Sequence, residues 1–291
     1  KRTAFAQSDT GKQIMTAMID AVRRKEASGM VERFSHHSFL TLRLCGNICC
    51  GCVIRDEYSQ ETVELPGDAV IVATGGMHGL FGNTTGSLSN TGEVTAELFR
   101  LGVPLANGEM IQYHPTTVKC GGKRMLISEA ARGEGGRLFA MKDGKQWYFM
   151  EEKYPELGNL MPRDITAREI WKVSHESEVF LDMTEISEEI ISNKLSGLAD
   201  DCMTYLHKDI RKEPVSVLPG IHYFMGGILV DEQHRTPIQN LCAAGECCAQ
   251  YHGANRLGGN SLLGALYGGR VAAKSACEQA DVVDLSLSLI H

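Results

Sequence analysis

No run of this sequence approaches the ~20 consecutive apolar residues that a membrane-spanning helix needs. Its opening stretch, KRTAFAQSDTG, has no apolar centre of the kind a signal peptide carries. Positive charge is also short. Lysine and arginine number 29 against 36 aspartates and glutamates, a net charge of −7, so no chain-wide positive field recruits nucleic acid or an anionic membrane surface. Internal repeats and low-complexity segments are absent as well. These absences leave a soluble, unsecreted, cytoplasmic chain as the expectation. The rest of the composition agrees: 291 residues, 43% apolar and 22% charged, suffice for one large or two modest domains with a true core. Residue 1 is lysine rather than methionine, which permits the chain to be a fragment.

Cysteine, by contrast, is plentiful. Of ten, four (Cys45, Cys49, Cys50 and Cys52) crowd into LCGNICCGCVI, which raises the question of a metal site or disulfides. The alternation answers it. Leu40, Leu42 and Leu44 alternate before the turn formers Gly46 and Asn47, and Ile48, Cys50, Cys52 and Ile54 alternate after them, as in a half-buried hairpin. The cysteines then serve as small hydrophobes. Adjacent Cys49 and Cys50 point to opposite faces of a strand, which suits shared ligation poorly, so no metal site is expected. Many unpaired thiols favour a reducing compartment.

Along the chain, DTGKQIMTAMIDAVRRKEASG predicts an amphipathic helix capped by Asp9 or Thr10, with Ile14, Met18 and Val22 at helical spacing and Gly29 as its stop. DAVIVATGG is a short β-branched run ending in small residues, the pattern of a buried parallel strand leading into a tight loop where α/β sheets bind ligands. From Asn107 to His222 the texture changes to mixed polar segments, with helices starting near Arg163 and Ser187, and reads as a second domain. GGILVDE and LCAAGE restore strand patterning, so DAVIVATGG and LCAAGE are expected in one sheet interrupted by that domain. NSLLGALYGGRVAAKSACEQA predicts a helix whose Gly264, Gly268, Ala272 and Ala276 form a flat stripe for close packing. His36, His37, His175, His207 and His234 read as surface or ordinary polar positions, and Trp147 and Trp171 as core of the middle domain.

The richest stretch is HGANRLGGNSL, residues 252 to 262, between the strand LCAAGE and that last helix. Asn260 or Ser261 can cap the helix, whose first N–H groups then favour partial negative charge in the loop. Its glycines allow close backbone approach to a ring, leaving Arg256 and His252 to face an anion.

Six motifs in chain order, QYHPTT, ISEAARGEGG, MPRDITAR, HYFMGG, AAGE and HGANRLGGNSL, resemble the flavoprotein subunit of succinate dehydrogenase and fumarate reductase, with L-aspartate oxidase a relative. The resemblance runs over nearly the whole chain. It implies an α/β chain in which a Rossmann-like FAD-binding domain, residues 1–106 and 223–291, is interrupted by an α+β capping domain, residues 107–222. It implies FAD contacts at Thr74, Gly75 and Gly76, at Glu93, at Glu246 as the ribose-binding acid, and at Ser261 and Leu262 beside the isoalloxazine. For a dicarboxylate it points to His114, Ser128, His222 and Arg256, with His252 nearby. Arg163 would donate the proton in fumarate reduction, with Glu129 and Arg132 relaying protons to it. An arginine acid is chemically reasonable because hydride addition to one alkene carbon leaves a strongly basic centre on the other. Pro162 suits a first helical turn and sets Arg163 beside it, where the helix dipole disfavours a cation.

The resemblance further implies an iron–sulfur partner subunit and association with the inner face of a membrane through partners. The chain departs from the family in places. The G-x-G-x-x-G turn that opens the family is not found, nor is the C-terminal helical extension, so a fragment lacking the N-terminal dinucleotide-binding segment is expected. Glu93 stands where the family has aspartate, Ser128 where it has threonine, and Phe224 where it has a small hydroxyl residue, while Met225 favours the fumarate and succinate branch. Two other readings remain open at this point: L-aspartate oxidation, and a non-catalytic binding domain.

Overall fold

In the computed structural model, which describes residues 10–280, helices and sheets are mixed and the chain forms two compact units. One comprises residues 10–21, 81–88 and 112–222; the other comprises 22–80, 89–111 and 223–280.

The second unit holds the interrupted sheet. Strands Val70–Val72 and Leu241–Ala243 pair in parallel, so DAVIVATGG and LCAAGE lie side by side despite the long insertion between them. Val72, Leu98, Ile228, Leu241 and Ala243 share one buried cluster there. The helix Asn260–Ala280 buries the expected small residues Gly264, Gly268, Ala272 and Ala276. The cysteine-rich hairpin forms as well: His37–Cys45 and Ile48–Asp56 pair antiparallel with Cys45 opposite Ile48 across Gly46 and Asn47, and Thr62–Pro66 adds a third strand. Its burial departs from simple alternation, because Cys49 is fully buried alongside Cys50. The cause is a second covering layer: Ile48 bridges to Gln239, and Cys49 N donates to Gln239 O at 2.8 Å.

The first unit has its own core around Leu138, Ile170, Leu181 and Val215. A four-stranded antiparallel sheet runs in the order Val215–Ser216, Val179–Asp182, Arg137–Lys142, Lys145–Trp147. Strand Ile111–Cys120 lies between Leu218–Phe224 and Lys123–Leu126 in a separate three-stranded sheet. Helices start at Arg163 and, capped by Ser187 Oγ, at Glu188.

The grouping of segments differs from the expected bounds in three ways, the first being that residues 10–21 fall with the first unit. Residues 81–88 join the first unit because Thr85 N donates to Ile221 O and Arg124 N to Thr84 O, each at 2.9 Å. Residues 107–111 stay with the second, where Met225 N donates to Met110 O at 2.9 Å.

The helix Thr10–Ala27 ends as expected at Gly29, which adopts φ +75°, but it buries none of its residues. Thr10 already lies within the helix and is not its cap, and Asp9 lies outside the described residues. Two further expectations fail. His234 is fully buried, held by Ala243 O at 2.8 Å from Nδ1, because the helix Asn260–Ala280 packs over it at Gly268. Trp171 is 58% exposed: it sits on the outward side of helix Arg163–Val173, whose inward side is taken by Ala167 and Ile170. No described helix is long and apolar enough to cross a membrane.

Candidate functional site

The first unit gathers a buried cationic cluster. Pro162, at φ −50° and ψ 153°, sets the helix start so that Arg163 is its first residue, with its side chain folded inward and only 9% exposed. Arg163 Nη1 donates to Gln112 Oε1 at 3.1 Å and Nη2 to Glu129 Oε2 at 3.0 Å. Arg163 is thus a buried, hydrogen-bonded cation and not a solvated surface side chain. The other oxygen of Glu129 accepts from Arg132 Nη2 at 3.3 Å, and Arg132 Nη1 donates to Asn159 O at 2.6 Å. One carboxylate thus bridges two buried guanidinium groups. Burial lowers the pKa of Arg132, Glu129 works against that, and the charge of Arg163 adds to the lowering.

His114 and His222 occupy neighbouring strands with ring centroids 5.3 Å apart, edge to face. His222 Nδ1 is 2.7 Å from Thr85 Oγ1. His114 is fully buried, its Nδ1 3.1 Å from Thr116 O, and its Nε2 is buried without a hydrogen-bond partner among the described residues. Burial pushes the pKa of His114 well below the usual histidine range, and the charges of Arg163, His222 and Arg132 push the same way. The ring is neutral at pH 7 and carries one unsatisfied polar atom, a costly arrangement in a dry site unless a ligand completes it. Ser128, also expected here, caps the short helix Glu129–Gly133, its Oγ accepting from Ala130 N at 3.2 Å; as a hydroxyl it keeps a proton to donate.

The second unit carries the loop expected to hold a cofactor. A cleft of about 280 Å³ lies at the carboxyl end of strand Val70–Val72, lined by Thr74, Gly75, Gly76, Asn90, Gly92 and Glu93. Gly75 and Gly92 take φ +72° and +81°, a conformation that side chains resist. Helix Glu93–Arg100 starts at the cleft with no side-chain cap, leaving its first N–H groups to a ligand. A Cβ at Gly76 would stand 2.5 Å from Glu246 Oε1 and 2.8 Å from the Phe224 ring, so glycine alone fits between strand and acid. These features, a polar cleft with bare backbone and an acid beside it, suit a dinucleotide such as FAD.

Arg256 is buried, with Cζ 4.4 Å above the Tyr223 ring, and His252 meets the same ring edge-on at 5.2 Å. The pKa of His252 is lowered, first by burial and then by Arg256, against an opposing effect of Glu246. Ser261 and Leu262 are half-buried in the first turn of helix Asn260–Ala280. The helix begins at Asn260, one residue early for the expected cap: Gly259, at φ +81°, precedes it, so neither Asn260 nor Ser261 holds the capping position.

Several contributors were not named from the sequence. Gln112, Asn159 and Tyr223 position the arginines through contacts that local patterning does not reveal. His78 is buried and lies 3.0 Å from Glu246 Oε1; its place two residues after ATGG was the available signal.

Residues 1–262 match the family described as FAD binding domain. The chain is 42% identical to the succinate dehydrogenase flavoprotein subunit of Bacillus subtilis (strain 168), over 99% of its own length and 52% of that protein. It is 33% identical to the L-aspartate oxidase of Clostridium perfringens, over 98% of this chain and 63% of that one. An E. coli quinol fumarate reductase FrdA variant superposes with a TM-score of 0.87 at 31% identity, covering 97% of this chain and 50% of that chain. The chain thus spans about half the length of the succinate dehydrogenase and fumarate reductase relatives.

Proposed function

Because this chain belongs to the FAD binding domain family, over residues 1–262, we propose that the whole protein transfers hydride between FAD and a C4 dicarboxylate, reducing fumarate or, in reverse, oxidising succinate. The cofactor, when bound, supplies the hydride-carrying centre. Thr74, Gly75, Gly76 and Glu93 would line its place, Glu246 would accept from a ribose hydroxyl, and Ser261 and Leu262 would flank the ring. Arg256 would grip one carboxylate, and His114, His222 and the Ser128 hydroxyl would bind the other. Residues 112–222 would act as the capping domain.

The observation that carries this reading is the Arg163–Glu129–Arg132 array. Arginine is an unusual acid, because its pKa ordinarily exceeds about 12. The carbon beside the one that receives hydride is basic enough to take a proton from it when correctly placed. The deprotonated guanidine must then be recharged. Glu129 touches it with one oxygen and is 44% exposed, so it can collect a proton from solvent and pass it inward. Arg132, fully enclosed, would hold the carboxylate in place from its other side.

The test uses the full-length protein. Fumarate should reoxidise its reduced flavin, and Arg163→Gln should abolish turnover with FAD still bound; full activity in Arg163→Gln would remove the assigned role. The 33% identical aspartate oxidase motivates a parallel product assay: hydrogen peroxide and iminoaspartate formed from L-aspartate would replace the dicarboxylate reading. The relatives that are flavoprotein subunits support an iron–sulfur partner, which co-purification of an iron-containing chain would test.

A further inference from the structure

Glu246 is the acid that the FAD reading assigns to a ribose hydroxyl, and the structure shows an asymmetry in how that carboxylate is used. Phe224 N donates to Oε1 at 2.9 Å, and His78 Nε2 stands 3.0 Å from the same oxygen. A carboxylate only accepts, so the imidazole presents Nε2–H to it. Oε1 is also the atom against which Gly76 is packed, 2.5 Å from where a Cβ would be. Two donors saturate the lone pairs of Oε1, while among the described residues no hydrogen bond goes to Oε2, and the side chain is 21% exposed. His78 is itself locked: it is 4% exposed, and its ring meets Phe224 edge-on at 5.1 Å.

We propose that His78 is a positioning residue for cofactor binding: with the Phe224 backbone it occupies Glu246 Oε1 and fixes the carboxylate so that Oε2 alone is presented to the ligand. The proposal rests on the FAD reading. Its physical basis is preorganisation. A glutamate with three rotatable bonds, left with one backbone contact, would lose rotamer freedom on binding, whereas one already held by two donors does not. His78 and the Phe224 backbone therefore act through a third residue, Glu246.

The experiment measures the Kd of FAD for the full-length protein by flavin fluorescence quenching, for wild type, His78→Ala, His78→Gln, Glu246→Gln and the double variant His78→Ala/Glu246→Gln. Expected is a roughly tenfold weaker Kd for His78→Ala and near-wild-type binding for His78→Gln, whose amide N–H can reach the same oxygen. In the Glu246→Gln background, adding His78→Ala should cost nothing further, because there is no carboxylate left to position. A merely structural histidine would weaken binding equally in both backgrounds, and that result overturns the proposal, as does a His78→Ala protein that binds FAD as wild type does. A wild-type protein that binds no FAD overturns the flavin reading itself, which distinguishes the two failures.

Discussion

Arg163 Nη2 donates to Glu129 Oε2 at 3.0 Å, and the two partners differ sharply in exposure: 9% for the arginine side chain and 44% for the glutamate. One end of this pair is dry and the other wet, which is the arrangement a proton path from solvent to a buried donor requires. Glu129→Gln keeps the size and one acceptor oxygen but cannot carry a proton. It is expected to lower kcat for fumarate reduction by about 10²- to 10⁴-fold, with a small change in KM and a larger solvent deuterium isotope effect. Steady-state kinetics in H2O and D2O check this; an unchanged kcat would place the proton path elsewhere.

A second expectation concerns pH. The pKa of His114 is held well below the usual histidine range by burial, helped by Arg163, His222 and Arg132. Between that lowered value and about 6.5, where a histidine titrates in an unfolded chain, the unfolded state binds the extra proton and the folded state does not. Stability therefore rises with pH through this window and is lost as pH falls below about 6.5. His252 contributes in the same direction, through burial and Arg256. Thermal melts of wild type and His114→Gln at pH 5 and pH 7.5 should show a smaller acid loss in the variant. Equal losses in both would assign the acid sensitivity to other groups.

Much of the local structure was legible because it repeats at short range. Gly46 and Asn47 between two alternating runs specify the hairpin, and the four-residue spacing of Gly264, Gly268, Ala272 and Ala276 specifies the buried face of the last helix. The Arg163, Glu129 and Arg132 cluster was named through family resemblance, and the structure places the three within hydrogen-bond reach. What could not be read depends on distant partners. Glu246 is 168 residues from His78 along the chain, and Gln112 is 51 from Arg163. Trp171 and His234 exchanged their expected environments for the same reason: a lone side chain does not state which face of its element the rest of the fold will cover.

The last helix offers a test of opposite signs at adjacent glycines. A Cβ at Gly268 would collide with Tyr251 Oη and stand 2.8 Å from His234 Cε1, both held by hydrogen bonds of their own. At Gly269 a Cβ meets nothing within 4 Å. Gly269→Ala should stabilise the protein by up to ~1 kcal/mol, the ordinary helix-propensity gain. Gly268→Ala should destabilise it by about 1–3 kcal/mol through overpacking. Urea unfolding of the two variants decides it; stabilisation by both would mean that the stripe at Gly268 is not closely packed.

Arg256 is 3% exposed and lies with Cζ 4.4 Å above the Tyr223 ring. Burial raises the pKa of the Tyr223 phenol, so it remains neutral and the contact is between a cation and the face of a ring. The ring contact and the bond from Nη1 to Leu257 O at 3.4 Å constrain where the guanidinium sits. Arg256→Lys keeps the charge but has neither the fork nor the flat face, and is expected to raise KM for the dicarboxylate about tenfold or more. Tyr223→Phe retains the face and should leave KM near wild type, whereas Tyr223→Leu removes it at a cost of about 0.5–2 kcal/mol, roughly a 2- to 30-fold rise. Kinetics of the three variants test the whole chain of reasoning: a normal KM in Arg256→Lys would take the carboxylate away from this arginine, and a normal KM in Tyr223→Leu would show that the ring does not orient it.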